Sequence, residues 1–244
     1  MKIDKIITLI ILLSTLLFSL SFSSSKKKLL KKVYYDNKLT FYCQNPYKIK
    51  KIKNKEKTLI IQNSNKYTPR NKITKNGKIN IRAKRVEWEH IVPAENFGRH
   101  LLCWREGDYK CVTKKGKHFR GRRCCKKVSS IFREMESDMM NLVPAIGEIN
   151  ADRKNFRYMD TKKNLKNQYG ECKFLVNFKE KKVCPANYTK GFIARTYFYF
   201  TKKYRINLSK REKRMFKVWD KSYPPTKWEQ LRKSRIESIL KKVD

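Results

Sequence analysis

Acidic side chains are scarce in this chain. Against 61 Lys and Arg stand only 21 Asp and Glu across 244 residues, a formal net charge of +40. That imbalance calls for an anionic partner, and nucleic acid phosphates, anionic lipid and acidic polysaccharide all qualify by charge alone. Some of it is compositional background, because Lys, Ile and Asn are abundant everywhere, as an AT-rich coding sequence would produce. No two of the seven cysteines are spaced C-x-x-C, which argues against a zinc ribbon. A 40% hydrophobic content excludes a disordered basic tail, and the length suits one sizeable domain with its own apolar core.

The one long apolar run spans 17 residues, Ile6 to Phe22, behind Lys2 and Lys5 and ahead of a Ser-rich stretch. This is the plan of a secretory leader, with a cut expected after Ser21-Phe22-Ser23; a retained anchor is the alternative. Residues 1–23 are therefore assigned to the leader, 24–38 to a basic segment and 39–244 to the folded domain. Removing 1–23 takes away two lysines and one aspartate and leaves +39. In an exported chain the cysteines are expected in disulfides, with an odd one left over.

Taken in order, Leu39 to Cys43 is a short tethered segment, and 46–86 is rich in Lys and Asn with strand-like patches at Thr58 to Ile61 and Ile79 to Ile81. Residues 101–127 read as a long loop whose part 114–127 carries eight basic residues in fourteen and no acid. With Gly116, Gly121 and Phe119 it resembles a flexible arm for a nucleic acid backbone; an exposed solvated loop is the alternative. Ser129 to Met140 is predicted helical with Ile131, Phe132, Met135 and Met139 inward. Phe174, Val176 and Phe178 alternate as in a strand. Helical spacing of Ile193, Tyr197, Phe200 and Tyr204 predicts a core helix from Gly191, and capping boxes at Ser209/Glu212 and Thr226/Glu229 open two basic helices.

The chemistry concentrates in two stretches. In Arg85 to Val92, RVEWEHIV, strict alternation puts Val86, Trp88, His90 and Val92 on one face and Glu87, Glu89 and Ile91 on the other. For Glu89 and His90 to serve one site the backbone must bend at His90, ahead of Pro93. Asp138 to Asn155, DMMNLVPAIGEINADRKN, reads as a short strand at Asn141 to Pro144 turning into a helix that carries Glu148, Asn150 and Asp152. Phosphodiester hydrolysis requires an activated water, a cation and groups that hold the phosphate. An imidazole suits the first, and the oxygens of Glu89 and Asn150 suit a hard cation such as Mg²⁺. His100 and His118 lie outside these stretches and are taken as non-catalytic.

These residues carry a resemblance. EWEHIVPAENFG, MESDMMNLVPAIGEINADRKNF and GFIARTYFYF closely resemble the bacterial endonuclease I family, over about Leu39 to Glu229. The likeness implies an α+β domain with a ββα-metal, or His-Me finger, site, stabilised by disulfides. It implies His90 as general base and Glu89 with Asn150 as ligands of one divalent cation, Mg²⁺ first, with Ca²⁺ or Mn²⁺ as alternatives. Glu87, Asn141 and Glu148 would support that shell. The family's phosphate-supporting arginine has no clear counterpart between Cys103 and Cys111, which the likeness implies are bridged; Arg105 and Lys110 are the substitutes, with Arg153 a further phosphate contact. The function expected is that of a secreted or periplasmic, monomeric endonuclease. It would cut DNA and RNA with little sequence preference and leave 5′-phosphate ends, without stable membrane association after leader removal. The alternative from another class is a non-catalytic exported polyanion-binding protein.

Overall fold

A computed structural model describes residues 20–51, 57–161 and 165–241. Most of the predicted leader, residues 1–19, lies outside them. Chain order runs from helix α1 (Phe22–Lys28), extended by a π turn (Leu29–Val33), to the hairpin β1 (Tyr47–Lys51) and β2 (Lys57–Ile61), then to β3 (Val86–His90). Four short helices follow: α2 (Ala94–Gly98), α3 (Leu102–Arg105), α4 (Arg122–Val128) and α5 (Ser130–Ser137). Next come β4 (Leu142–Ile146), α6 (Gly147–Arg153) and the small strands β5 (Arg157–Tyr158), β6 (Leu175–Asn177) and β7 (Lys182–Cys184). Helices α7 (Asn187–Tyr204), α8 (Lys210–Ser222) and α9 (Lys227–Leu240) close the chain. Among the described residues no helix is long and apolar enough to cross a membrane.

The architecture is α+β, with mixed helices around three small sheets. At its centre β3 and β4 pair antiparallel, Glu87 opposite Ala145 and Glu89 opposite Val143, and α6 follows β4 without a connecting loop. Every residue of β4 is buried. Pro144 is tolerated because, among the described residues, β3 is the only strand that pairs with β4, and its carbonyl still accepts from the Phe41 N–H at 2.7 Å. At the strand-to-helix junction a Cβ on Gly147 would stand 2.8 Å from the Arg82 carbonyl oxygen and 3.0 Å from the Glu87 carboxylate. Only glycine lets the helix start so close to β3.

Periodicity located the helices but not their ends. Helix α5 begins where Ser129 accepts from the Phe132 N–H, and it ends at Asp138, before a 3-10 turn (Met139–Asn141). Phe132, Met135 and Met139 are buried as expected, whereas Ile131 is 42% exposed, on the outer side of the first turn. Helix α7 starts four residues ahead of Gly191 and buries Ile193, Tyr197 and Phe200. Ser209 and Glu212 complete a capping box. Thr226 caps α9, but the Glu229 carboxylate is taken by Arg195 at 2.6 Å, so the second half of that box is missing.

Two expectations need correction. The bridge implied between Cys103 and Cys111 does not form: Cys103 pairs with Cys125, Cys111 with Cys124, and Cys43 with Cys172. Both cysteines of the loop face α4, where adjacent thiols stand ready for them. Cys184 stands outside the three bridges, its Sγ 3.7 Å from the Asp160 carbonyl oxygen. The same two bridges pin the stretch expected as a flexible arm, and its ends are the helices α3 and α4 rather than loop.

The segment 24–38, expected as a basic stretch ahead of the domain, packs into its body. Leu29, Val33 and Tyr34 are buried against Met139, Leu142, Ile236 and Ile239. Arg232 donates to the Tyr34 hydroxyl at 2.7 Å, and Arg235 pairs with Asp36 at 2.6 Å.

Because the nearest neighbour of Gly147 is the Arg82 main-chain carbonyl and the next is a carboxylate held by Arg82, Arg85 and Asn150, the Gly147→Ala variant should lose about 1–3 kcal/mol of stability. Urea unfolding of the purified protein measures this, and an unchanged midpoint would show that the junction has slack.

Candidate active site

Strand β3 presents its side chains alternately, and its last two residues face different neighbours. His90 remains within the strand, paired with Leu142, so the bend that would bring it round to Glu89 is not made there. The chain turns only afterwards, where the Asn141 side chain grips it. Asn141 accepts from the Val92 N–H at 2.7 Å and donates to the Val92 carbonyl at 2.9 Å, standing in for a neighbouring strand. Its expected supporting role is thus a backbone clamp at the exit of β3.

On one face the His90 imidazole stacks on Phe22, with ring centroids 5.2 Å apart, and Phe97 lies 6.1 Å away. Its Nε2 is 2.8 Å from the Glu136 main-chain carbonyl. A carbonyl can only accept, so Nε2 carries the hydrogen and Nδ1 keeps its lone pair. Burial, reinforced by the positive charge of Arg122, holds the imidazole down at about 3 against the opposing pull of the Glu136 carbonyl. The ring is therefore a neutral acceptor at physiological pH.

Glu136 also acts through its side chain. That carboxylate, 2% exposed, accepts from Arg122 Nε at 2.8 Å and has Lys126 Nζ 3.7 Å away. Arg122 itself is half exposed, which leaves its outer N–H groups for an anion beside the imidazole. This arginine was not among the residues expected from the sequence. The implied bridge points to the loop between Cys103 and Cys111; the signal available is Arg122 just before the adjacent Cys124 and Cys125, in a stretch with eight basic residues in fourteen and no acid. Arg105 and Lys110, the residues expected there, sit on the outer surface. Arg105 lies 3.8 Å from Glu106, and Lys110 lies over the Tyr109 ring.

On the other face α6 crosses β3. Asn150 donates to Glu87 at 3.0 Å, and Glu87 is further held by Arg82 and by Arg85 at 2.6 Å. One helical turn on, Arg153 meets Glu89 at 3.2 Å and donates to the His90 and Ile91 carbonyls at 3.0 and 2.6 Å. Glu89 is 3% exposed. Burial pushes its carboxyl up to about 7, despite the opposing effects of Arg153 and the Tyr42 hydroxyl. Both of those contacts fall on Oε1; among the described residues neither Glu89 Oε2 nor the Asn150 amide oxygen accepts from another side chain. Two hard oxygens with lone pairs to spare fit a small divalent cation that keeps most of its waters. Among the described residues no group of three or more His, Cys, Asp and Glu side chains is gathered as a metal site.

Geometry thus gathers Glu87, Glu89 and Asn150 along α6 but leaves the His90 ring on the opposite face, without a hydrogen bond to any of their side chains. Arg153, expected on phosphate, is fully buried and faces the chain's own carboxylate and carbonyls. Glu148 and Asp152 are likewise engaged by the chain itself. Glu148 accepts from the Tyr67 hydroxyl at 2.6 Å and from the Arg70 and Asn71 N–H groups, while Asp152 holds Arg70 at 3.0 Å. Together they fasten the stretch 67–80 over α6.

An antiparallel strand pair, β3 and β4, whose second strand runs straight into a helix, with a histidine closing the first strand and an asparagine on the helix, is the ββα architecture of a nuclease. The family pattern of endonuclease I matches residues 21–243, and this chain belongs to that family and is an endonuclease. It is 41% identical over 231 residues to "Endonuclease-1" of Buchnera aphidicola subsp. Acyrthosiphon pisum, covering 89% of this chain and 83% of that one. An "Extracellular deoxyribonuclease" of Aeromonas hydrophila is 40% identical over 214 residues, covering 87% and 82% of the two chains. A "Periplasmic deoxyribonuclease" of the same organism is 39% identical over 214 residues, 87% of this chain and 79% of that one.

If Arg153 is the internal strut described, Arg153→Met strands a buried carboxylate and two carbonyls and should cost about 3–5 kcal/mol. Thermal and urea melts give the number. A variant as stable as wild type but with a raised KM for DNA would return Arg153 to the substrate.

Proposed function

We propose that this protein is an exported endonuclease that hydrolyses DNA, and RNA as well, with a divalent cation and little sequence preference, leaving 5′-phosphate ends. The observation that carries the reading is the His90 ring, fixed in one tautomer by the Glu136 carbonyl with Arg122 held by the same residue. Relatives named extracellular and periplasmic deoxyribonucleases support export and a DNA substrate. Weak sequence preference follows if the basic surface grips phosphates and few groups reach base edges.

In this reading the scissile phosphate lies across the end of β3 and reaches groups on both strand faces, so that Glu89 and His90 serve one site without the bend expected at His90. His90 Nδ1 accepts the proton of the attacking water while the Nε2–H bond to the Glu136 carbonyl keeps the ring aimed. Arg122 donates to a phosphate oxygen and stabilises the charge that builds there. Glu89 and Asn150 would hold a divalent cation, Mg²⁺ first among candidates, which would supply charge neutralisation at the phosphate and at the leaving oxygen. Glu87 fixes the asparagine amide and thereby turns its oxygen outward. Asn141 and Arg153 hold the strand end on which the residues of both faces depend. The protein acts as a monomer.

A non-catalytic polyanion binder would account for the charge but would not require a tautomer-locked histidine beside an anchored arginine. Supercoiled plasmid separates the two. Nicking is expected with Mg²⁺ and not with EDTA, and His90→Ala should slow it by about 10²–10⁴-fold. Binding without any nicking by wild type would leave only the binder.

Arg122→Ala should cut kcat by about 10²–10³-fold, whereas Arg105→Ala should change it little. Equal effects of the two substitutions would remove the phosphate role from Arg122. Product ends are read by ligation with and without prior phosphatase treatment.

A further inference from the structure

Helix α1 stands where the leader junction was expected, and it touches the active site. Ser21 accepts from the Ser24 N–H and so caps the helix. Phe22, the first helical residue, stacks on His90 with an interplanar angle of 21°. Lys26 Nζ lies 4.5 Å from the centroid of the same Phe22 ring. The imidazole is thus seated from two sides, by a carbonyl of α5 and by an aromatic ring from the very start of the described chain.

The same helix borders a groove of about 830 Å³, opposite β2 and the Trp88 face of β3. Lys26, Lys27 and Lys31 line one side and Arg85, paired with Glu87, the other, and among the described residues no acidic one lines it. Among the described residues the three lysines form no ion pair. Val86 and Trp88 line the groove, and His90 is the next residue on the same strand face. A cationic groove on the strand face that ends at a candidate general base matches the spaced charges of a nucleic acid backbone.

We propose that residues 21–33 form a working wall of the nuclease site: Phe22 is a positioning residue for His90, and Lys26, Lys27 and Lys31 contact substrate phosphates upstream of the cut. The wall rests on the nuclease reading above and adds a constraint to it. The leader must be removed ahead of Ser21, because a cut after Ser23 discards both the helix cap and the ring on the histidine.

Three measurements on the exported protein test the wall. Mass spectrometry of its N-terminus should find residue 21 or an earlier one; a chain beginning at Ser24 overturns the proposal. Phe22→Ala should lower kcat at least about tenfold with KM within about twofold, and Phe22→Tyr should restore it; unchanged or faster cleavage by Phe22→Ala makes the ring a bystander or a cover. Lys26→Ala/Lys27→Ala/Lys31→Ala should weaken binding of a 30-base-pair duplex, followed by anisotropy in EDTA. Its log Kd against log salt slope should shrink by about 0.9 for each phosphate that a lysine no longer neutralises, up to about 3. A slope equal to that of wild type sinks the phosphate role. Failure of wild type to nick plasmid at all would instead strike the nuclease reading, since the binding slope is read without turnover.

Discussion

A guanidinium without access to water holds the active end of the fold together. Arg153 projects from the last turn of α6 into the space beneath β3, where it meets the Glu89 carboxylate and two successive main-chain carbonyls. Burying such a charge is costly, the more so because Nε finds no acceptor, and the contacts of the two terminal nitrogens tie helix to strand. Strand alternation does the rest. With α6 locked against one face, Glu87 and Glu89 have to look toward the helix and His90 away from it. The division of the site between two faces is therefore a consequence of the strut.

On the histidine side the organising residue is Glu136, near the end of α5. Through α4 it communicates with the two bridges that gather Cys103, Cys111, Cys124 and Cys125. Those bridges turn a Gly- and Lys-rich stretch, which by itself would sample many conformations, into a platform that carries Arg122 to the imidazole. High positive charge on a mobile loop attracts polyanions without orienting them; the covalent ties add the orientation.

Much of this was legible in the residues. The run from Asn141 into the helix of Asn150, the strand ending at His90, and the capping box of α8 all depend on patterns a few residues long, and all are present. What could not be read depends on partners far away in the chain. Nothing near Cys103 distinguishes Cys111 from Cys125 as its mate, and a bridge to Cys111 places the phosphate contact at Arg105 and Lys110 instead of Arg122. Glu148 and Asp152 flank Asn150 as metal ligands might be expected to, but Tyr67 and Arg70, about eighty residues earlier, engage them. Likewise, the basic look of residues 24–38 hid Leu29, Val33 and Tyr34, whose burial requires α9 from the opposite end of the sequence.

Glu136 secures its two clients by different means. The imidazole is held by a peptide oxygen, an anchor common to all twenty amino acids, while the guanidinium is held by a carboxylate that only an acid supplies. Mutational drift at this codon would therefore leave the orientation of the imidazole intact and release the arginine. The two halves of the proposed site thus differ in evolutionary robustness, although a single residue supports both.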